Sequence, residues 1–215
     1  MDNLLKRLKK LQPEIDYQGL MAEMTGISHP RRKITELQKK SVLVRVKKGF
    51  YVFDPEYFGK KYSKEIVANL LYGPSYLSLE MALSFYGLIP ERVQTMTSVT
   101  SQKNKKFSTS IGNFSYWHIS EKLYPLGVTR KQMEDGRFFL VATAEKALLD
   151  YFLFHFSRSG APTRKDIEDA LVHDLRIEIS SLRRVLSFEK VKELKPYYKN
   201  RRWCSMLLDY LEEIL

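Results

Sequence analysis

The stretch Thr25–Phe53, TGISHPRRKITELQKKSVLVRVKKGFYVF, constrains the chain more than any other. Thr25-Gly26-Ile27 makes a short turn. Ser28 can cap the next helix by accepting a free N–H of its first turn, and Pro30 falls in that opening turn, where a missing N–H costs nothing. On a 3.6-residue wheel Ile34 and Leu37 point inward, with Ile27 beneath them. The opposite face carries Arg32, Thr35, Glu36 and Lys39, flanked by Arg31 and Lys33. Val42–Val46 is rich in β-branched residues, Lys47-Lys48-Gly49 is a tight turn, and Phe50–Phe53 returns as a second strand. Basic helix followed by basic-tipped hairpin is the layout of a winged helix-turn-helix: helix in the major groove of a duplex, hairpin tip along the phosphates.

The charge supports that layout. The formal net charge is +11, and such an excess favours a polyanionic partner. Thr25–Phe53 holds eight basic residues (Arg31, Arg32, Lys33, Lys39, Lys40, Arg45, Lys47 and Lys48) against Glu36 alone, a local net of +7. Arg32, or Arg31 beside it, can fork onto guanine N7 and O6, and Thr35 and Lys39 face the same groove. Arg45, Lys47 and Lys48 are placed for phosphates, which set register rather than sequence. Ser28 and His29 sit at the helix start, His29 either on a phosphate or as an ordinary capping-turn residue.

Elsewhere the sequence narrows the classes. With 215 residues the chain can form one large domain or two small ones. The single cysteine, Cys204, excludes an internal disulfide framework and a cysteine-rich zinc site. Met1–Lys10 has no apolar signal-type core, and no apolar run approaches the ~20 residues of a membrane helix; a soluble, cytoplasmic protein without membrane contact is expected. His29, His118, His155 and His173 show no metal-ligand spacing, and no phosphate-binding glycine loop or nucleophile motif appears. No catalytic residue, metal or cofactor is therefore expected. Glu193-Leu194-Lys195, with Asp174 or Asp169 upstream, only faintly suggests a nuclease set.

Taken in order, Asn3–Leu11 reads as an amphipathic helix ended by Pro13, and Asp16 caps a second short helix. Asp54-Pro55 breaks the ribbon. Ser63 caps a helix with Ile66, Val67, Leu70 and Leu71. Tyr76–Tyr86 reads as one helix, stopped by Gly87. Val93–Thr100 alternates as a strand, Gln102–Lys106 is a basic turn, and Gly112-Asn113 reads as the turn of a hairpin. Lys103, Lys105 and Lys106 form a second basic patch. It is either a solvated turn or a further phosphate or RNA contact, with Phe114, Tyr116 and Trp117 available to stack bases or to pack the sheet. Arg137–Ala142 reads as a central strand, and Thr143 caps a helix apolar nearly all round. Glu145-Lys146 on that helix reads as structural. Ser157–Pro162 is a loop, and Thr163 with Asp166 is a capping box opening a helical tail. Within the tail, Tyr197–Trp203 mixes aromatics with Lys and Arg.

Two blocks in the second half resemble the AbiEi-type antitoxins and transcriptional regulators of abortive-infection (type IV) toxin–antitoxin systems. The first is Tyr76–Glu91, YLSLEMALSFYGLIPE. It looks like that family's run of Tyr, aliphatic and Ser, then Ala-Leu, then His or Tyr before Gly-Leu, and Pro before an acid. The second is Val141–Asp150, VATAEKALLD, similar to the family's Ala, Glu-Lys-Ala and Asp pattern. In the head, Gly26-Ile27-Ser28 and Ile34 with Leu37 fit the family's reader helix, while Ser41 stands where Gly is usual. The resemblance implies a winged helix that represses its own promoter at inverted repeats. It also implies a C-terminal domain that counters a nucleotidyltransferase toxin, without a stable complex with it.

The expected fold is α+β. A winged helix-turn-helix spans 1–54 and a linker 55–62. A mixed α/β domain follows at 63–215, with a small, mainly antiparallel sheet and a helical tail from about 163. Two other functions stay open: a stand-alone winged-helix transcription factor whose C-terminal domain senses or scaffolds, and a nuclease-type enzyme.

Overall fold

The computed structural model describes residues 2–156, 162–198 and 202–215. The fold is α+β. Among the described residues it holds eleven α-helices, a three-stranded antiparallel sheet and a six-stranded mixed sheet.

The N-terminal part runs α1 (Asp2–Leu8), β1 (Glu14–Asp16), α2 (Tyr17–Glu23), α3 (Pro30–Lys39), β2 (Leu43–Lys47) and β3 (Phe50–Phe53), with sheet order β1-β3-β2. Its core gathers Leu8, Leu20, Met24, Ile34, Leu37, Leu43 and Phe53. Burying each such side chain contributes about 1.5–3 kcal/mol. Asp16 caps α2 as expected, accepting from the Gly19 N–H at 2.8 Å. The first helix is shorter than its apolar pattern, ending at Leu8. The chain then turns so that Glu14–Asp16 pairs with Phe50–Val52, a strand that three residues of mixed polarity do not announce. Ser41, between α3 and β2, has φ 55°. That is the left-handed region that Gly favours.

Within the expected linker, Pro55–Phe58 forms α4, capped by Asp54, and Phe58 stacks on Phe53 with ring centroids 4.6 Å apart. The second part begins with α5 (Lys64–Leu71), capped by Ser63. Next come β4 (Ser75–Leu77), α6 (Leu79–Phe85), β5 (Thr95–Thr100), β6 (Lys105–Thr109), β7 (Gly112–His118), β8 (Val128–Gln132) and β9 (Phe138–Ala142). The sheet order is β6-β7-β5-β4-β9-β8. It is larger than expected, and mixed: β4–β9 and β5–β7 pair in parallel.

Several local expectations need correction. Tyr76–Tyr86 is not one helix: Tyr76 and Leu77 belong to β4, and Leu79, at φ 59°, turns the chain into α6. β4 is three residues long and buried at each of them, too short to show a period of its own ahead of the helical spacing of Leu79, Leu83 and Tyr86. The β6–β7 hairpin turns at Ser110-Ile111, and Gly112 and Asn113 pair with Thr109 and Ser108 as strand residues. Arg137–Ala142 yields β9 as an interior strand, flanked by β4 and by the polar edge strand β8, which VTRKQ does not announce.

α7 (Ala144–His155), capped by Thr143, is buried on nearly every side at its N-terminal half. The tail follows as α8 (Arg164–Asp169) behind its capping box, a π turn (Ala170–Asp174), α9 (Ile179–Val185), α10 (Phe188–Leu194), a 3-10 turn (Lys195–Tyr198) and α11 (Arg202–Ile214). Most of the Ser157–Pro162 loop, and Lys199–Arg201 of the aromatic-basic stretch, lie outside the described residues. The tail is integral to the main core: Leu182, Val191, Trp203, Leu207 and Leu211 pack with α7 and the large sheet. Glu145 of α7 accepts the Ser187 N–H at 3.0 Å between α9 and α10.

At the centre Asp150 accepts four bonds. Lys146 Nζ lies 2.5 Å from Oδ1 and Tyr198 Oη 3.0 Å from it, while Ser78 Oγ is 2.8 Å and Tyr76 Oη 3.2 Å from Oδ2. The Lys146 ammonium also donates to Tyr198 Oη at 2.8 Å. Lys146 and Asp150 are fully buried, so the pair persists because each charge is hydrogen-bonded as well as paired. Gly127, at φ 60°, lets β8 begin against this helix; a Cβ there would lie 2.7 Å from Lys146 Cβ.

The two parts are tied together. Val46, Phe50 and Val52 of the small sheet join the main apolar cluster. Glu14 of β1, 5% exposed, accepts from the Ser63 N–H at 2.6 Å and from Arg137 at 2.6 and 2.7 Å.

Candidate nucleic-acid interface

α3 starts where the residues dictate. Pro30 is its first residue and keeps His29 out of the helical region, at φ −133° and ψ 72°, so His29 takes the cap position. Its side chain makes no capping bond; its carbonyl accepts the Lys33 N–H at 3.0 Å. Ser28, the expected cap, is one residue too early and is exposed in the turn. The turn is held by Thr25 Oγ1, which donates to the Ala22 carbonyl at 2.8 Å, and by Arg7 of α1, which donates to the Glu23 carbonyl.

Ile34 and Leu37 bury one face of α3, leaving Arg31, Arg32, Thr35, Lys39 and Lys40 exposed on the other, with Lys33 half-buried. Glu36 lies among them, 3.4 Å from both Arg32 Nε and Lys33 Nζ. These are solvent-exposed contacts worth about 0.2–1 kcal/mol, which an incoming phosphate or base edge can displace. Thr35 donates to the Arg31 carbonyl at 3.1 Å and keeps lone pairs for a donor.

The adjoining hairpin has Arg45 and Lys48 exposed. Lys47 does not join them. The register shifts between Arg45 and Lys47, and such a bulge re-aims the side chains that follow it. Lys47 donates to the Leu71 carbonyl, lies 5.8 Å over the Phe107 ring, and has its pKa lowered by burial. It fastens the hairpin to the second part of the molecule.

The second basic patch does not converge. Lys105 and Lys106 are successive residues of β6 and point to opposite sheet faces. Lys103 lies in the preceding loop beside Tyr72 and His118. Of the nearby aromatics, Phe114 and Tyr116 are core residues, Tyr116 donating to the Ala68 carbonyl at 2.7 Å, while Trp117 is half-buried against Phe154. The faint nuclease set is dispersed: Asp174 lies 3.7 Å from His155, Asp169 lies 3.8 Å from His173, and Glu193 is exposed on α10. Among the described residues no three His, Cys, Asp or Glu side chains cluster to hold a metal ion, and no helix is long and apolar enough to cross a membrane.

No family model matches the chain, and no curated relative is detected. Among solved structures it is similar to the crystal structure of the RV2827C protein from Mycobacterium tuberculosis, at a TM-score of 0.58 and 14% identity, over 97% of this chain and 75% of that one. That likeness shows a shared α+β fold over nearly the whole of this chain.

Proposed function

We propose that this protein is a cytoplasmic, DNA-binding autoregulator and antitoxin of a toxin–antitoxin or phage-defence operon, counteracting a nucleotidyltransferase toxin. The observation that carries the DNA part is the single exposed face of α3. It holds Arg31, Arg32, Thr35 and Lys39 on a helix seated by Ile34 and Leu37, beside a hairpin exposing Arg45 and Lys48. This is a winged-helix surface: Arg31 and Arg32 fork onto base edges, Thr35 and Lys39 meet the same groove, and Arg45 and Lys48 grip phosphates. The antitoxin part rests on the resemblance of Tyr76–Glu91 and Val141–Asp150 to the AbiEi-type family. It is supported by the work those blocks do in the core, since Tyr76, Ser78, Lys146 and Asp150 bond to one another.

The test has two arms. In a gel shift on the protein's own promoter, Arg31→Ala with Arg32→Ala abolishes the specific complex; an unchanged shift refutes the reader helix. Co-expressing the full chain carrying the same two substitutions with a neighbouring nucleotidyltransferase gene restores growth if the antidote effect lies outside the reader. The full chain is needed because Val46, Phe50 and Val52 complete the main core.

A further inference from the structure

At the β6–β7–β5 side of the large sheet a groove opens between the strands and helices α6 and α7. The register aligns Ser108, Asn113 and Thr95 in one row across β6, β7 and β5, and Lys106, Ser115 and Thr97 in the next. Aligned residues share a face; Lys106, Ser108 and Asn113 are exposed at the sheet edge and Thr97 and Ser115 are buried, with Ser108 Oγ donating to Asn113 Oδ1 at 3.0 Å, so the rows run hydroxyls, an amide and an ammonium along one side of a groove. Opposite them, Tyr151, Phe154 and His155 of α7 and Glu80 of α6 line the same groove, which has a volume of about 520 Å³. That lies inside the roughly 300–1,000 Å³ of small-molecule clefts. The Thr97 hydroxyl is used internally, between the Ser78 carbonyl and the Met81 N–H. The hydroxyls of Thr95 and Ser115 make no hydrogen bond among the described residues.

We propose that this groove is a binding site for a mononucleotide. Its three kinds of lining answer the three parts of such a ligand. Trp117, 5.4 Å from the Phe154 ring, and Tyr151 offer flat aromatic surface for a base. The hydroxyl rows suit a ribose. Lys106, exposed on the strand side, is the cation for the phosphate, and Glu80, on the helix side, accepts from the exocyclic amine of a base. A sugar alone leaves both charges unanswered, and an apolar ligand leaves the hydroxyls unpaired. The site is separate from the exposed face of α3 and does not rest on the DNA reading.

Isothermal titration of the full chain with AMP, GMP, CMP and UMP tests it. One saturable site per chain is expected, with UMP, which has no exocyclic amine, about tenfold weaker than the best of the other three. Glu80→Gln should bring the four within about twofold of one another. Lys106→Ala, at an exposed position, should weaken AMP about fivefold and leave adenosine unchanged. No saturable heat up to ~5 mM of any nucleotide overturns the proposal, and so does binding that ignores both substitutions. A nucleotide displaced by promoter duplex but indifferent to Lys106→Ala would instead sit on the basic face of α3, which also overturns it.

Discussion

Arg137 sets its guanidinium 2.6 Å from the Glu14 carboxylate across 123 residues of sequence. The Glu14 side chain is 1% exposed and that of Arg137 12%, so this ion pair joins the small sheet to the β8–β9 hairpin with little water around it. The same guanidinium reaches Asp135 at 2.7 Å and the Lys61 carbonyl at 2.8 Å. Arg137→Ala strands a buried carboxylate and should cost about 3 kcal/mol in urea unfolding, with Glu14→Gln recovering part of the loss in the double variant. A cost near zero would show that the carboxylate finds water once the arginine is gone.

The Asp150 cluster should be costlier to break. Lys146→Met leaves the carboxylate without the cation paired with it and is expected to lower stability by about 3–5 kcal/mol. Tyr198→Phe removes one neutral donor and should cost about 1–2 kcal/mol. Both are read by denaturant midpoint. Equal costs for the two would mean that the ammonium acts there only as another hydrogen-bond donor.

The tyrosines of that cluster make stability fall in alkali. Tyr76 and Tyr198 are held well above the usual tyrosine pKa, first by burial and then by the Asp150 carboxylate. A raised folded-state value gives stabilisation that is complete below the unfolded value of about 10 and is lost as pH climbs through the folded one. The urea midpoint should therefore hold at pH 8–9 and drop above pH ~10, with a shallower drop in Tyr198→Phe. Parallel slopes in the two proteins would rule out Tyr198 as a source.

Lysines 47 and 48, neighbours in one turn, should behave differently. Lys48→Ala should weaken binding to every duplex and lower the salt dependence by about one ion. Lys47→Met should leave duplex affinity unchanged and lower the melting temperature, because its ammonium is bonded to the Leu71 carbonyl. Salt-dependent anisotropy titrations separate the two.

Ser41→Gly should stabilise the protein. A left-handed conformation costs a non-glycine residue roughly 1–2 kcal/mol, and the extra freedom of glycine in the unfolded chain returns about 0.5–1 kcal/mol of that. The net gain should be about 0.5–1 kcal/mol, a rise of about 2–3 °C in Tm. A lower Tm would mean that the Ser41 side chain contributes more than its backbone costs.

Features written within a few neighbouring residues were readable in advance. Asp16, Ser63, Thr143 and the Thr163/Asp166 box cap their helices as their spacing implies, and Ile34 and Leu37 face inward as the helical wheel requires. What escaped depends on partners far away. Glu14–Asp16 and Val128–Gln132 become strands only because Phe50–Val52 and Phe138–Ala142 lie beside them. Lys47 looked like a hairpin-tip cation because a bulge at Val46 leaves no mark in an alternating run. Glu145-Lys146 reads as structural from its place on an apolar helix and near that helix's N-terminus. Its actual partners, Ser187, Asp150 and Tyr198, include two from the tail, whose packing no local period reveals. The groove beneath α7 was hidden likewise: Lys106 and Trp117 stood out in sequence, but Glu80 and Tyr151 reach them only through the sheet and helix packing.

The strand order has a consequence for synthesis on the ribosome. The small sheet has all its strands by Phe53, so the basic face of α3 can form while most of the chain is unmade. β4, in contrast, waits for β9 to supply Val141 opposite Leu77, and Asp150 waits for Tyr198. Such long-range closures are slow. During that interval Glu14 is open to water, and the nascent chain carries a finished basic head ahead of a body that locks only as its last helices emerge.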